Sequence, residues 1–244
     1  MKAVILAGGK GTRLLPYTIV IPKPMLPIAG IPIIEIISKQ LDFYGFDDVT
    51  ISLGHLSEMI KVFLTGKIGE PGFPTFSYHI ETEAKGTAGP IKELKVDSEN
   101  FVVMNGDILT NINLKKLYDF HCENHAALTI AVRNTSHQLP FGAVTVNEKN
   151  EVINFEEKPK IELMDNIGAY VYSQGALAFI KENEKVDVNT LVLRLIEAGE
   201  KVCAYLNIGP YYWIDIGTHA DYEKANEELE GLLSEFPFLK GIKK

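Results

Sequence analysis

Short apolar, β-branched runs alternate along this chain with stretches in which apolar residues recur every three or four positions, the signature of strands followed by helices. The first apolar run covers 2–7 and breaks off at glycine. Ile31-Pro32-Ile33 predicts a helix with proline in an early position, running through Ile37 and Leu41 to Gly45 as its stop. A strand over 49–53 precedes a helix from Ser57, whose Met59, Ile60 and Phe63 suit one apolar face. Strands follow at 76–80 and 101–104 with a helix over 87–95 between them. A helix over 114–125 then leads to a strand over 128–132, and a last helix covers 221–233. Repeated β-α order predicts an α/β domain, a mostly parallel sheet with helices on both faces and right-handed crossovers.

Ligands of open α/β sheets sit beyond the carboxyl ends of the strands. Three candidates fall at such ends: the loop after residue 7, Glu81 and Asp107. The loop reads Gly8-Gly9-Lys10-Gly11-Thr12-Arg13. Its glycines let backbone N–H groups approach a ligand and form an anion-binding concavity. Thr12 adds a hydroxyl, and Arg13 a planar cation matched to phosphate oxygens. A dinucleotide fingerprint fails because Leu14 stands where its last glycine belongs, and a P-loop fails because Lys10 is followed by Gly11. Lys23 is stiffened by Pro22 and Pro24, so little entropy is lost in aiming it at one spot. Asp107, after an apolar strand, is read either as a Mg²⁺ ligand or as a turn or N-cap aspartate.

Composition narrows the partners. A net charge of −8 over 244 residues argues against nucleic acid and anionic membranes. No apolar stretch approaches the ~20 residues of a membrane span, and no signal peptide is read, so a cytoplasmic protein is expected. Cys122 and Cys203 are expected as free thiols. His121 and His125 lack further ligands at zinc spacing and are read as surface histidines.

Leu6-Ala7-Gly8-Gly9-Lys10-Gly11-Thr12-Arg13-Leu14, Pro16 and Pro22-Lys23-Pro24 together resemble the signature of the sugar-1-phosphate nucleotidyltransferases, or NDP-sugar pyrophosphorylases. The wording Gly86-Thr87-Ala88-Gly89-Pro90 is most similar to mannose-1-phosphate guanylyltransferase-like members. The resemblance covers nearly the whole chain and thins over 181–211. It implies a Rossmann-like three-layer α/β sandwich with a mostly parallel mixed sheet, the nucleotide-diphospho-sugar transferase fold. A single domain over 1–244 is expected, with a nucleotide-binding part over about 1–110, a sugar-binding part over about 111–220 and a helix and tail over 221–244. The resemblance departs from the long guanylyltransferases, which continue into a left-handed β-helical or acyltransferase-like extension, and the short heptose-1-phosphate enzymes are the expected comparators.

By this resemblance Leu6 to Gly9, Gly11, Thr12, Arg13, Glu81, Gly86 and Thr87 bind the nucleotide. Asp107 and Asp215, the latter in Trp213-Ile214-Asp215-Ile216-Gly217-Thr218, hold Mg²⁺. Lys158 in Glu157-Lys158-Pro159 grips the sugar phosphate, Glu157 and Asn166 meet sugar hydroxyls, and Gly142 is a close-approach glycine. Glu81 stands where uridylyl- and thymidylyl-transferases commonly place Gln. A carboxylate only accepts hydrogen bonds, which suits the N1–H and N2–H₂ of guanine and not the carbonyls of a pyrimidine. The alternative is that Glu81 is solvated and Glu83 or backbone reads the base. Arg13, Lys23 and Lys158 are the expected catalytic cations, serving a sugar 1-phosphate that attacks a nucleoside triphosphate without a general base. A dTTP- or UTP-dependent enzyme is the runner-up, and a non-catalytic regulatory homologue is the other class. The last helix is read as a docking helix, and Phe236-Pro237-Phe238-Leu239 as a contact for a homodimer partner.

Overall fold

The computed structural model describes residues 1–94, 96–206 and 211–240. Its first half runs β1 (Lys2–Ala7), β2 (Pro27–Ile28), β3 (Ile31–Pro32), α1 (Ile33–Phe43), β4 (Asp48–Leu53), α2 (Ser57–Thr65), β5 (Thr75–Ile80), α3 (Gly89–Glu93), β6 (Asn100–Asn105) and β7 (Ile108–Thr110). The second runs α4 (Leu114–Asn124), β8 (Leu128–Gln138), β9 (Ala143–Val146), β10 (Val152–Glu156), β11 (Lys160–Ser173), α5 (Val188–Glu197), β12 (Val202–Leu206), β13 (Trp213–Asp215) and α6 (His219–Leu232).

Seven strands form one sheet in the order β12-β8-β11-β6-β1-β4-β5. All neighbours are parallel except β11, which runs antiparallel to both β6 and β8. Strand alternation divides the interior into two layers, because successive side chains point to opposite faces. From β1, Ala3, Ile5 and Ala7 enter one core with α1, α2, α4 and α6, whereas Val4 enters the other with α3 and α5. Val102 and Met104 of β6 follow the first, Phe101 and Val103 the second. Strands covered on both faces read as continuous apolar runs, which is why they stand out in the sequence.

Several elements differ from expectation. Pro32 precedes α1 and belongs to a short bridge with Pro27, so the helix begins at Ile33. The helix expected over 87–95 shrinks to α3, and its end at Lys95 lies outside the described residues, as does the tail beyond Lys240. The last helix starts at His219, where Thr218 and Asp221 form a reciprocal cap. It docks on the fold by one face, as expected, with Ala225 and Leu229 buried and Glu223, Lys224 and Glu227 exposed, but Phe236, Phe238 and Leu239 sit in the chain's own core. The homodimer contact proposed for that segment is therefore spent inside the fold. His121 is also no surface residue. Its ring is buried between Thr129 Oγ1 at 2.9 Å and Asn100 Oδ1 at 3.1 Å, and burial pushes its pKa down to about 4. His125 is exposed, and both cysteines are free thiols.

The strand expected to end at 132 continues to Gln138, because Gln138 pairs with Lys160 at the far end of β11. Together with the β9-β10 ribbon this makes an arm standing off the sheet, on which Phe141 is 77% exposed and Phe155 62%. Among the described residues no helix is long and apolar enough to cross a membrane.

Candidate active site

Parallel register brings the strand ends to one level. Leu6 pairs with Asn105, Ala7 with Leu53, and Leu53 with Ile80. The loops that follow therefore leave the sheet side by side: Gly8 after β1, Gly54 after β4, Glu81 after β5 and Gly106-Asp107 after β6. Strand order reverses here, since β4 and β5 lie on one side of β1 and β6 on the other. A crevice is expected at such a switch point. One is present, a cavity of about 280 Å³ lined by Leu6, Gly8, Gly9, Glu81, Gly86, Thr87 and Asp107. Ala84 and Asn105 complete the lining and were not singled out from sequence.

Close approach requires glycine at Gly54, where the neighbour is backbone, and brings Gly8 against the end of the Glu81 side chain. A Cβ on Gly8 would lie 2.3 Å from Glu81 Oε1, and one on Gly54 would lie 2.4 Å from the Gly8 carbonyl oxygen. Glu81 is thus pressed against the glycine loop. Its backbone N–H donates to Leu53 O at 2.7 Å, and its Oε1 accepts from Ser52 Oγ at 2.8 Å. Burial pushes the Glu81 carboxyl above its usual range, with the Ser52 hydrogen bond opposing. Ser52 is fully buried inside β4, and an isolated serine in a strand gave no signal of this role.

Gly11 is left-handed at φ +62 and opens the short helical turn Thr12–Leu14. Its carbonyl accepts from Thr18 Oγ1 at 2.8 Å, and Thr18 is itself buried. That turn places Arg13 beyond the cavity, exposed and beside Gly217, whose Cβ would meet Arg13 Nη1 and Asp215 Oδ2 at 3.2 Å each.

The two aspartates meet through a small bridge. β13 pairs antiparallel with β7 so that Asp215 registers with Ile108, and Ile216 N–H donates to Asp107 O at 3.0 Å. Lys23, only 8% exposed, puts Nζ 2.5 Å from Asp107 Oδ2 and 3.8 Å from Asp215 Oδ1. Asp215 Oδ1 is buried without a hydrogen-bond partner. Burial raises the Asp215 pKa, Asp107 adds to the rise, and Lys23 and Arg13 oppose it. A carboxylate oxygen left without a donor beside a second carboxylate is costly unless a cation joins it. The pair fits Mg²⁺, which takes one or two protein carboxylates and fills its remaining positions with water and phosphate oxygens. Among the described residues no group of three or more His, Cys, Asp or Glu converges to hold a metal alone.

The residues expected on the sugar side do not line that cavity. Gly142, Glu157 and Lys158 cluster on the arm, where a Cβ on Gly142 would lie 3.0 Å from Glu157 Oε2. Lys158 is exposed in the turn between β10 and β11, in a left-handed conformation at φ +49. Asn166 lies at an irregularity of β11. It donates from Nδ2 to Tyr170 OH at 2.7 Å and accepts from Gly168 N–H at 3.0 Å. Gly168, at φ +79, packs against Asn105, where a Cβ would lie 2.8 Å from Asn105 Nδ2. Trp213 secures this bulge by donating Nε1–H to Ile167 O at 2.7 Å, and Arg133 lies 4.0 Å over its ring.

A family model described as nucleotidyl transferase matches residues 2–231. The chain is 31% identical to a UTP–glucose-1-phosphate uridylyltransferase of Synechocystis, over 96% of this chain and 64% of that protein, so it spans just under two thirds of that relative's length. It is 34% identical to a D-glycero-alpha-D-manno-heptose 1-phosphate guanylyltransferase of Aneurinibacillus thermoaerophilus, over 94% of this chain and 99% of that one. Among solved structures it is similar to HddC from Yersinia pseudotuberculosis complexed with GMP-PN, with TM-score 0.71 and 26% identity over 93% of this chain and 99% of that one.

Proposed function

Since the chain belongs to the nucleotidyl transferase family, we propose that it transfers a nucleotidyl group from a nucleoside triphosphate to a sugar 1-phosphate, releasing pyrophosphate, with GTP as donor and a mannose- or heptose-type 1-phosphate as acceptor. The observation that carries this reading is the meeting of Glu81, the glycine loop and Asp107 in one cavity, with Lys23 bonded to that aspartate.

Both substrates are anions, so the task is to bring them together and neutralise charge as it shifts. The backbone N–H groups of Gly8, Gly9 and Gly11 cradle the triphosphate, and Arg13 neutralises its outer oxygens. Lys23, buried and held by prolines on either side, meets the α-phosphate. Asp107 and Asp215 would hold Mg²⁺, which supplies positive charge to the phosphate oxygens when bound. Lys158 aims the sugar phosphate in line with the α-phosphorus, and Asn166 and Glu157 meet sugar hydroxyls. The nucleophile is already ionised, so no side chain has to remove a proton.

Glu81 selects the base. Burial disfavours its charge, and two N–H donors from guanine would compensate the ionised form, whereas a pyrimidine carbonyl would face it with like polarity. The guanylyltransferase among the relatives supports this assignment, and the uridylyltransferase supports the UTP alternative.

Pyrophosphate release with Mg²⁺ from GTP, UTP, dTTP, CTP and ATP, each against mannose, heptose, glucose and N-acetylglucosamine 1-phosphates, tests the reading. Turnover confined to GTP is expected. Preference for UTP or dTTP would overturn the role of Glu81 and keep the reaction, while silence with every pair would leave a regulatory nucleotide-sugar binder.

A further inference from the structure

Asp187 is the residue immediately ahead of α5, where an aspartate ordinarily accepts a backbone N–H from its own first turn. It makes no such bond. Its Oδ1 accepts instead from the Thr87 backbone N–H at 2.9 Å and from the Thr87 hydroxyl at 3.4 Å. The first N–H of α5, that of Val188, goes to Thr87 Oγ1 at 2.9 Å. Thr87 thus caps α5 in place of Asp187, while Asp187 holds the Thr87 backbone across a long sequence separation.

The backbone tightens this link. Ala88 and Gly89 both donate to Val186 O at 3.0 Å, and Val186 donates back to Lys85 O at 3.0 Å. Gly86, between them, is left-handed at φ +80, and a Cβ there would lie 2.6 Å from both Asp187 Oδ1 and Val186 O. The segment doing the holding is itself held. Glu184 is clamped by Arg194 of α5 at 2.8 and 2.6 Å and accepts from Lys181 N–H at 3.1 Å.

Gly86 and Thr87 are walls of the nucleotide cavity, whereas Asp187 is absent from its lining. The backbone N–H and the hydroxyl of Thr87 are already engaged by the 184–188 segment, so its part in the site is to carry position rather than to offer a free donor. A glycine has wide conformational freedom of its own. Its height against a bound base must therefore be imposed from outside. We propose that Asp187 is a positioning residue for the nucleotide, setting the Gly86-Thr87 wall through its carboxylate. The inference rests on the nucleotide-site reading above and adds α5 and the 184–188 segment to that site.

Asp187 is exposed, so its removal should leave the fold intact. Binding of GTP, UTP and dTTP with Mg²⁺ is measured by calorimetry on the wild type, Asp187→Ala and Asp187→Asn, with melting curves alongside. For the triphosphate the wild type binds, Asp187→Ala should weaken affinity about tenfold, the scale of a lost hydrogen bond to a charged group, with kcat and the KM for sugar phosphate within about twofold. Asp187→Asn keeps an accepting oxygen and should stay within about threefold of wild type. In the wild type, nucleotide should slow amide exchange over 184–188 together with 84–88, a readout independent of any variant. Unchanged affinity in Asp187→Ala, equal loss in both variants, or protection confined to 84–88 would overturn the inference alone. Failure of the wild type to bind any of the triphosphates would overturn the nucleotide-site reading and this inference with it.

Discussion

Lys23 and Asp107 form an ion pair, with Nζ 2.5 Å from Oδ2, at the end of β6. The lysine is the buried partner, and the second carboxylate, Asp215, lies 3.8 Å from the same nitrogen. One cation thus stands between two carboxylates at the mouth of the crevice.

Replacing Lys23 with Met keeps the stem and removes that charge. Turnover should fall by about 100-fold or more, the scale of losing a preorganised cation at a developing charge. Asp215, which Lys23 helps keep ionised, should take up its proton at higher pH still. Steady-state pyrophosphate release together with Mn²⁺ binding by electron paramagnetic resonance checks this. Normal turnover in the variant would remove Lys23 from the catalytic set.

Glu81→Gln exchanges an acceptor for a group that both donates and accepts. GTP use should drop and UTP or dTTP use should rise, by about 10- to 100-fold in the ratio of kcat/KM, as expected for hydrogen bonds to a charged group. An unaltered ratio would mean that the base is read elsewhere on the cavity wall.

Gly54→Ala tests the packing under the glycine loop. The added methyl would stand 2.4 Å from a backbone oxygen, which cannot swing aside as a side chain can, so the Gly8-Gly9 turn must shift. Overpacking costs typically about 1–3 kcal/mol, and nucleotide affinity should fall beyond what the melting temperature alone records. Crystals or calorimetry of the variant with wild-type affinity would show that the loop has slack.

His121 predicts a pH dependence of stability. Its folded pKa of about 4 lies below the ordinary histidine value of 6.5, so the unfolded chain binds the proton more readily. Its contribution is fully present above pH 6.5 and is lost as pH falls toward 4, on the order of 3 kcal/mol at most. His121→Gln should be less stable at neutral pH and show a shallower loss between pH 6.5 and 4 in urea unfolding. Parallel curves for the two proteins would assign the acid sensitivity to other groups.

Local order was open to reading because each element of it is set by neighbours along the chain. The buried strands announce themselves as apolar runs, and Gly8, Gly9, Gly11 and Arg13 are by residue type alone suited to an anion-binding loop. Pro22 and Pro24 stiffen Lys23 whatever the rest of the chain does. What failed were readings that depended on partners distant in sequence. His121 looked solvated until Thr129 and Asn100 closed on it, and Phe236, Phe238 and Leu239 looked available until α1 covered them.

Residue pattern by itself determined the α/β class and a glycine loop of the type that suits phosphate, while Asp107 and Asp215 were singled out as a pair by family resemblance. Tertiary structure alone decided that β11 runs antiparallel, that the β7-β13 bridge sets Asp215 beside Asp107, that Ser52 bonds Glu81, that Asn105 lines the crevice and that Asp187 bonds Thr87 on its wall. The reason is range. Conformational preferences and hydrophobic periodicity act over a few residues, whereas strand order, register and the close approach of one loop to another are settled when the whole sheet buries both its faces at once.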